Sequence, residues 1–181
     1  MLYLLDVLIA LGIVITVSVL YGTKVMGQFT FSLFVLGCAL GSVWEFGLHA
    51  AQALSAEPIF RHLTEWPLPT LLQPLLHSFW DGGLFLIGVG LVVWLLPAPH
   101  FEHFRPAELL VLLGWGVGSA LLIEVIASAG AWEYIPRPWN PALFTVNGVT
   151  ITALPLMIWF VASILFYIGA LGLQTHQNRV Q

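Results

Sequence analysis

TLLQPLLHSFWDGGLFLIGVGLVVWLL, residues Thr70–Leu96, is long and apolar enough to cross a bilayer as one helix, which takes about 20 residues. It nevertheless carries Asp81 in its interior, with His77 one helical turn earlier. Four further stretches have the same character: Leu2–Tyr21, Phe29–Ala53, Ala107–Ala131 and Val146–Leu173. Two of these also hold an acid at depth, Glu45 (followed one turn later by His49) and Glu124. The expected fold is therefore an all-α polytopic membrane protein, a bundle of five transmembrane helices forming one domain over residues 1–181. No repeat, low-complexity tract or second domain interrupts it.

Composition agrees. Of 181 residues, 59% are hydrophobic and 8% charged, with a mean hydropathy of +0.95, whereas soluble domains carry about 25% charge. Five Lys and Arg residues are too few for a nucleic-acid surface. One cysteine, Cys38, permits neither an internal disulfide nor a thiolate zinc site. The first stretch has no basic leader and no small-residue cleavage site, so it reads as a retained helix.

The connections are short, and two of them, Leu54–Pro69 and Trp132–Thr145, are rich in Trp and Pro. Five spans put the ends of the chain on opposite faces. Lys24, Arg105 and Arg179 lie on one face and Arg61 and Arg137 on the other. The positive-inside bias then expects an extracytoplasmic N-terminus and a cytoplasmic C-terminus.

All five basic residues lie outside the spans, so Glu45, Asp81 and Glu124 have no basic partner at membrane depth. An ionisable group inside hydrocarbon is costly and marks a functional site by default. A rise of 1.5 Å per residue puts Glu45, His49, His77, Asp81 and Glu124 in one layer, roughly 5–16 Å below the N-terminal face. Asp6, Asn147, Thr150 and Thr152 fall near the same end. The faces agree as well. Gly37, Gly41, Glu45 and His49 follow at steps of four, as do Gly116, Ala120, Glu124 and Ser128, and Gln73, His77 and Asp81. Small-residue stripes are where membrane helices approach closely, so the acids are expected in helix–helix interfaces. Pro74 and the Gly82–Gly83 pair are expected to bend the third helix and open space beside Asp81.

Two chemistries suit such a set. Glu45, His49, His77, Asp81 and Glu124 would form a ligand set for Fe, Mn or Zn. Without metal, the same five residues would be catalytic acids and bases: a buried carboxylic acid can donate a proton, and His77 beside Asp81 would carry one. Flanking aromatics (Trp44, Phe46, Phe79, Trp80, Phe85) are either packing or a cation-stabilising wall. Five helices with a His/carboxylate pair on the second and an acid on the third are similar in architecture to the emopamil-binding family of sterol isomerases. The resemblance implies isomerisation of a lipid. The order Glu45 then His49 is the reverse of that family's, and its helix 5 Asn–Trp pair has no counterpart here.

The expected function is thus a membrane-embedded enzyme acting on a hydrophobic, lipid- or isoprenoid-like substrate, with the bilayer as its surroundings. The alternative is a proton- or cation-coupled transport or assembly subunit, and a homo-oligomer or larger membrane complex suits either. The HFEH run at His100–His103, together with His62 and Glu65, reads as loop, and Glu133, Arg137, Trp139 and Asn140 as an ordered lid or interface anchor.

Overall fold

The computed structural model describes residues 2–180. Among them the chain is 68% helical, with five helices each long and apolar enough to cross a membrane. These are α1 (Leu2–Gly22), α2 (Gln28–Leu54), α3 (Leu72–Leu95), α4 (Pro106–Ala127) and α5 (Ala153–Val180). The first four keep close to the expected limits. Pro106 opens α4 at its first turn, where a missing N–H costs nothing. Pro74 likewise sits in the first turn of α3, which runs on through it without a break.

The all-α expectation needs one correction. Four short strands cap the N-terminal end: β1 (Phe60–His62), β2 (Trp132–Tyr134), β3 (Ala142–Val146) and β4 (Val149–Thr152). β3 and β4 form a hairpin, so α5 begins at Ala153 rather than Val146. Its turn is Asn147–Gly148, with φ of 53° and 78°. Two successive positive φ values make the turn whose twist matches paired strands, and Asn–Gly is its preferred sequence. Asn147, Thr150 and Thr152 therefore lie on the hairpin and not on a fifth span. The side chain of Asn140 then starts α5 by accepting from the Leu154 N–H at 2.7 Å.

α3 is the central helix, packed on α1, α2 and α4, while α5 packs on α4 and α2. The α2–α3 seam is the tightest. A Cβ on Gly37 would stand 3.0 Å from the Gly82 Cα, and one on Gly82 would meet Phe34 and Cys38. Gly83 is filled from the other side by Ile13 of α1. The Gly82–Gly83 pair thus lets two neighbours approach instead of opening space. Below the seam, Phe85 stacks on Phe166 at 4.3 Å between ring centres, and Leu33, Leu112 and Tyr167 complete a buried core. The outward faces of α1 and α5 expose Leu4, Leu8, Leu11, Ile15, Phe160, Val161 and Leu165, an apolar belt far larger than soluble monomers show.

At the far end, Glu108 is wholly buried in the first turn of α4. Its carboxylate takes the Tyr167 hydroxyl at 3.0 Å, the Phe101 N–H at 3.3 Å and the Arg105 guanidinium at 3.4 Å. Arg105 also donates to the carbonyls of Pro97 and Pro99, so this knot ties down the α3–α4 loop.

Candidate functional site

All five expected site residues line one cavity of about 250 Å³ below the strand-capped end. Every helix contributes. α1 supplies Tyr3 and Asp6; α2 supplies Trp44, Glu45 and His49; α3 supplies Gln73, His77, Trp80 and Asp81; α4 supplies Ala120 and Glu124; α5 supplies Ile158 and Trp159. Phe60, His62, Trp132 and Tyr134 from β1 and β2 roof it. The roof follows from strand periodicity: Phe60↔Tyr134 and His62↔Trp132 face inward, while Arg61↔Glu133 faces out and closes an ion pair.

His77 is the centre of the polar layer. Its Nε2 lies 2.8 Å from Asp6 Oδ2 on α1, and its Nδ1 lies 3.3 Å from Glu45 Oε2 on α2. Each N···O contact needs one hydrogen, so the three groups together hold two protons. Either the ring carries both, an imidazolium between carboxylates, or ring and one acid hold one each. Both arrangements leave the trio at −1. Asp6 was not among the expected site residues, although its depth already matched the layer.

The expected pairs four apart are not the bonded ones. His77 pairs across helices with Asp6 and Glu45, not with Asp81. His49 Nδ1 lies 2.8 Å from the main-chain carbonyl of Glu45, not its carboxylate. A shared helical face sets side chains near one another, but a carboxylate on a packed neighbour reaches the ring more directly. Since a carbonyl only accepts, Nδ1 carries a hydrogen, and Nε2 lies 3.4 Å from the Gln73 amide oxygen.

Asp81 is 5% exposed and Glu124 7%. Asp81 Oδ2 is buried with no hydrogen-bond partner among the described residues. It sits directly under Gly41, whose missing side chain makes its room. Glu124 accepts from Trp132 Nε1 at 3.3 Å. Among the described residues no Lys or Arg lines the cavity. The two basic residues of this end are engaged above it, Arg61 with Glu133 and Arg137 with Glu57.

The roof feels the acids below. Burial raises the Tyr134 phenol well above its ordinary value, and Glu124, Glu45 and Asp81 add to that. Burial lowers the His62 imidazole, with His49 and His77 acting in the same direction. The Tyr3 hydroxyl donates to the Ala131 carbonyl at 2.6 Å and so receives from His62 Nδ1, 2.5 Å away. This seals the corner where α1 meets the loop after α4. His62, Tyr3 and Tyr134 were missed from the sequence. The signal for the roof was there, in the alternation FRH and WEY, where apolar or ring side chains flank one charge.

As a metal centre the five residues do not converge: among the described residues, no three His, Cys, Asp or Glu side chains form a group that could hold a metal ion. His77 spends both ring nitrogens on carboxylates, and His49 spends one on the main chain. The arrangement lends itself to storing and moving protons in an apolar enclosure. Comparison with protein-family models, curated proteins and solved structures finds no match for this chain.

Proposed function

We propose that this chain is a multi-pass membrane enzyme that moves a proton on an apolar substrate dissolved in the bilayer, such as the double bond of a lipid or isoprenoid. The observation that carries this reading is His77 held between carboxylates of two other helices, inside a cavity that Asp81 and Glu124 also line and that among the described residues no Lys or Arg reaches. In a double-bond shift, an acid adds a proton to one alkene carbon and a base removes one from the carbon on the far side of the cationic centre so formed. The substrate keeps its composition, and no oxidant or second reactant is needed. Asp81 and Glu124 are assigned as the acid and base of this step. Asp6, His77 and Glu45 hold the reserve of protons. Aromatic walls from Trp44, Trp132 and Trp159 favour a transient cation on the substrate. Four carboxylates without a cation disfavour a substrate bearing phosphate or carboxylate at its reacting end. The charge asymmetry of the loops favours an extracytoplasmic N-terminus, with the site near that surface.

The test uses purified protein in liposomes of a total lipid extract, prepared in deuterium oxide. A proton shift writes solvent deuterium into carbon, read as a mass increase in a neutral lipid. Asp81→Asn and Glu124→Gln abolish incorporation, and His77→Asn lowers its rate about 10²–10⁴-fold, the usual worth of a positioned acid–base group. Undiminished incorporation in all three variants refutes the assignment. Proton flux across the same liposomes that disappears in Asp81→Asn, with no deuterated lipid, replaces it with the transport reading.

A further inference from the structure

Only two residues lining the cavity are largely exposed, and neither is polar: Leu5 on α1 (53%) and Ile126 on α4 (51%). They mark the side where the wall is thin. α1 packs chiefly on α3, whereas α4 packs chiefly on α5 and also on α3, so α1 and α4 both border α3 with a gap between them. The gap is closed at the top, where Tyr3 packs with Ala127 and Ala131 under the roof. Next to this closure the exposed side chains are apolar, Leu4 and Leu8 on α1 and Leu122 on α4. The strand cap meanwhile covers the end that would otherwise lead to water.

Resting on the reading above, we propose that the cavity is loaded sideways from the bilayer, through the gap between Leu5 and Ile126, by one end of a chain lipid whose tail stays outside. The size of the space supports the single-ended fit. About 250 Å³ is below the roughly 300–1,000 Å³ of sites that enclose a whole drug-sized ligand. An apolar rim admits a hydrocarbon tail without desolvation cost, and an aqueous rim would not. The end that enters reaches the layer of Asp81 and Glu124, and so carries neither phosphate nor carboxylate.

Photolabelling in liposomes tests this independently of turnover. The probe is an alkyl diazirine of hydrocarbon character dissolved in the bilayer, with adducts mapped by mass spectrometry of peptides. Adducts are expected at Asp81 and Glu124 as well as on the outer belt. The double variant Leu5→Trp/Ile126→Trp, which fills the rim at exposed positions, lowers the cavity adducts at least fivefold and leaves the belt adducts unchanged. Ile15→Trp/Leu110→Trp, at least as exposed but more than two helical turns from the rim, leaves both unchanged and controls for folding. Equal cavity labelling in the rim variant and the wild type overturns the side gap, as does labelling by a charged, water-soluble diazirine in place of the lipid-soluble one. Neither result touches the acid–base assignment, which stands or falls on deuterium incorporation.

Discussion

Adding one methyl group at Gly41 tests the seam on which the site is built. A Cβ there would stand 2.5 Å from Asp81 Oδ2, 2.7 Å from Asp81 Cβ and 3.0 Å from Asp81 Cγ. Optimal contacts between heavy atoms are about 3.5–4.0 Å, so three atoms of one short side chain overlap at once. Asp81 cannot rotate away cheaply, because it is 95% covered and Gly82 beside it is locked against Phe34 and Cys38. Either α2 and α3 part or the carboxylate is expelled from its place. Overpacking of this kind costs about 1–3 kcal/mol, or about 2–12 °C in melting temperature for a chain of this size. Gly47 lies on the same helix with nothing within 4 Å of its added Cβ. There the substitution only relieves the helix of a glycine, worth about 0.5–1 kcal/mol in the favourable direction. The assay is thermal unfolding of detergent-purified Gly41→Ala and Gly47→Ala, followed by deuterium incorporation. Opposite signs in stability, with activity lost only in Gly41→Ala, are expected. Gly41→Ala melting no lower than Gly47→Ala would show that α2 and α3 do not meet as closely as described, and the position of Asp81 would fall with them.

Two further outcomes follow from the cap. His62 is held below the ordinary imidazole value by burial and by His49 and His77, so the unfolded chain takes up a proton near pH 6.5 that the folded ring refuses. Its contribution to stability is complete above that value and is lost as pH falls toward the lower folded one. Melting temperatures at pH 7.5 and 5.5 should therefore differ less in His62→Gln than in wild type, and an unchanged difference contradicts the assignment. Asn147→Ala forces alanine to φ of 53° at the hairpin turn and should destabilise by about 1–2 kcal/mol. Asn147→Gly keeps the turn unstrained and loses only the hydrogen bond from Asn147 Nδ2 to Ser128 Oγ at 3.1 Å, so it should melt above Asn147→Ala, and both are read by the same melts.

Much of this was visible in the sequence, and the failures have identifiable causes. The spans were legible because hydropathy needs only length, and four of the five ended within a few residues of the expected limits. The fifth failed because LFTVNGVTIT is as apolar as a helix start, and only the Asn–Gly pair betrays the hairpin. The shared layer of Glu45, His49, His77, Asp81 and Glu124 followed from rise per residue. Which of them would bond did not: depth fixes height, while the rotation of neighbouring helices about their own axes decides that Asp6, and not Asp81, reaches His77. Glu108 escaped notice because a carboxylate in a helix's first turn looks solvated until Tyr167, from a distant span, is found covering it.

Leu5 and Asp6 are adjacent on α1, and they do opposite things. The first stands at the lip of the gap, while the second supplies half of what His77 holds. Swinging the upper part of α1 outward to admit a bulky guest would therefore pull Asp6 off Nε2 in the same stroke. α2 and α3, locked by their glycines, would keep Glu45, His77 and Asp81 still. On the proposed reading, a wider chamber would therefore be one in which His77 has lost one of its two carboxylate partners.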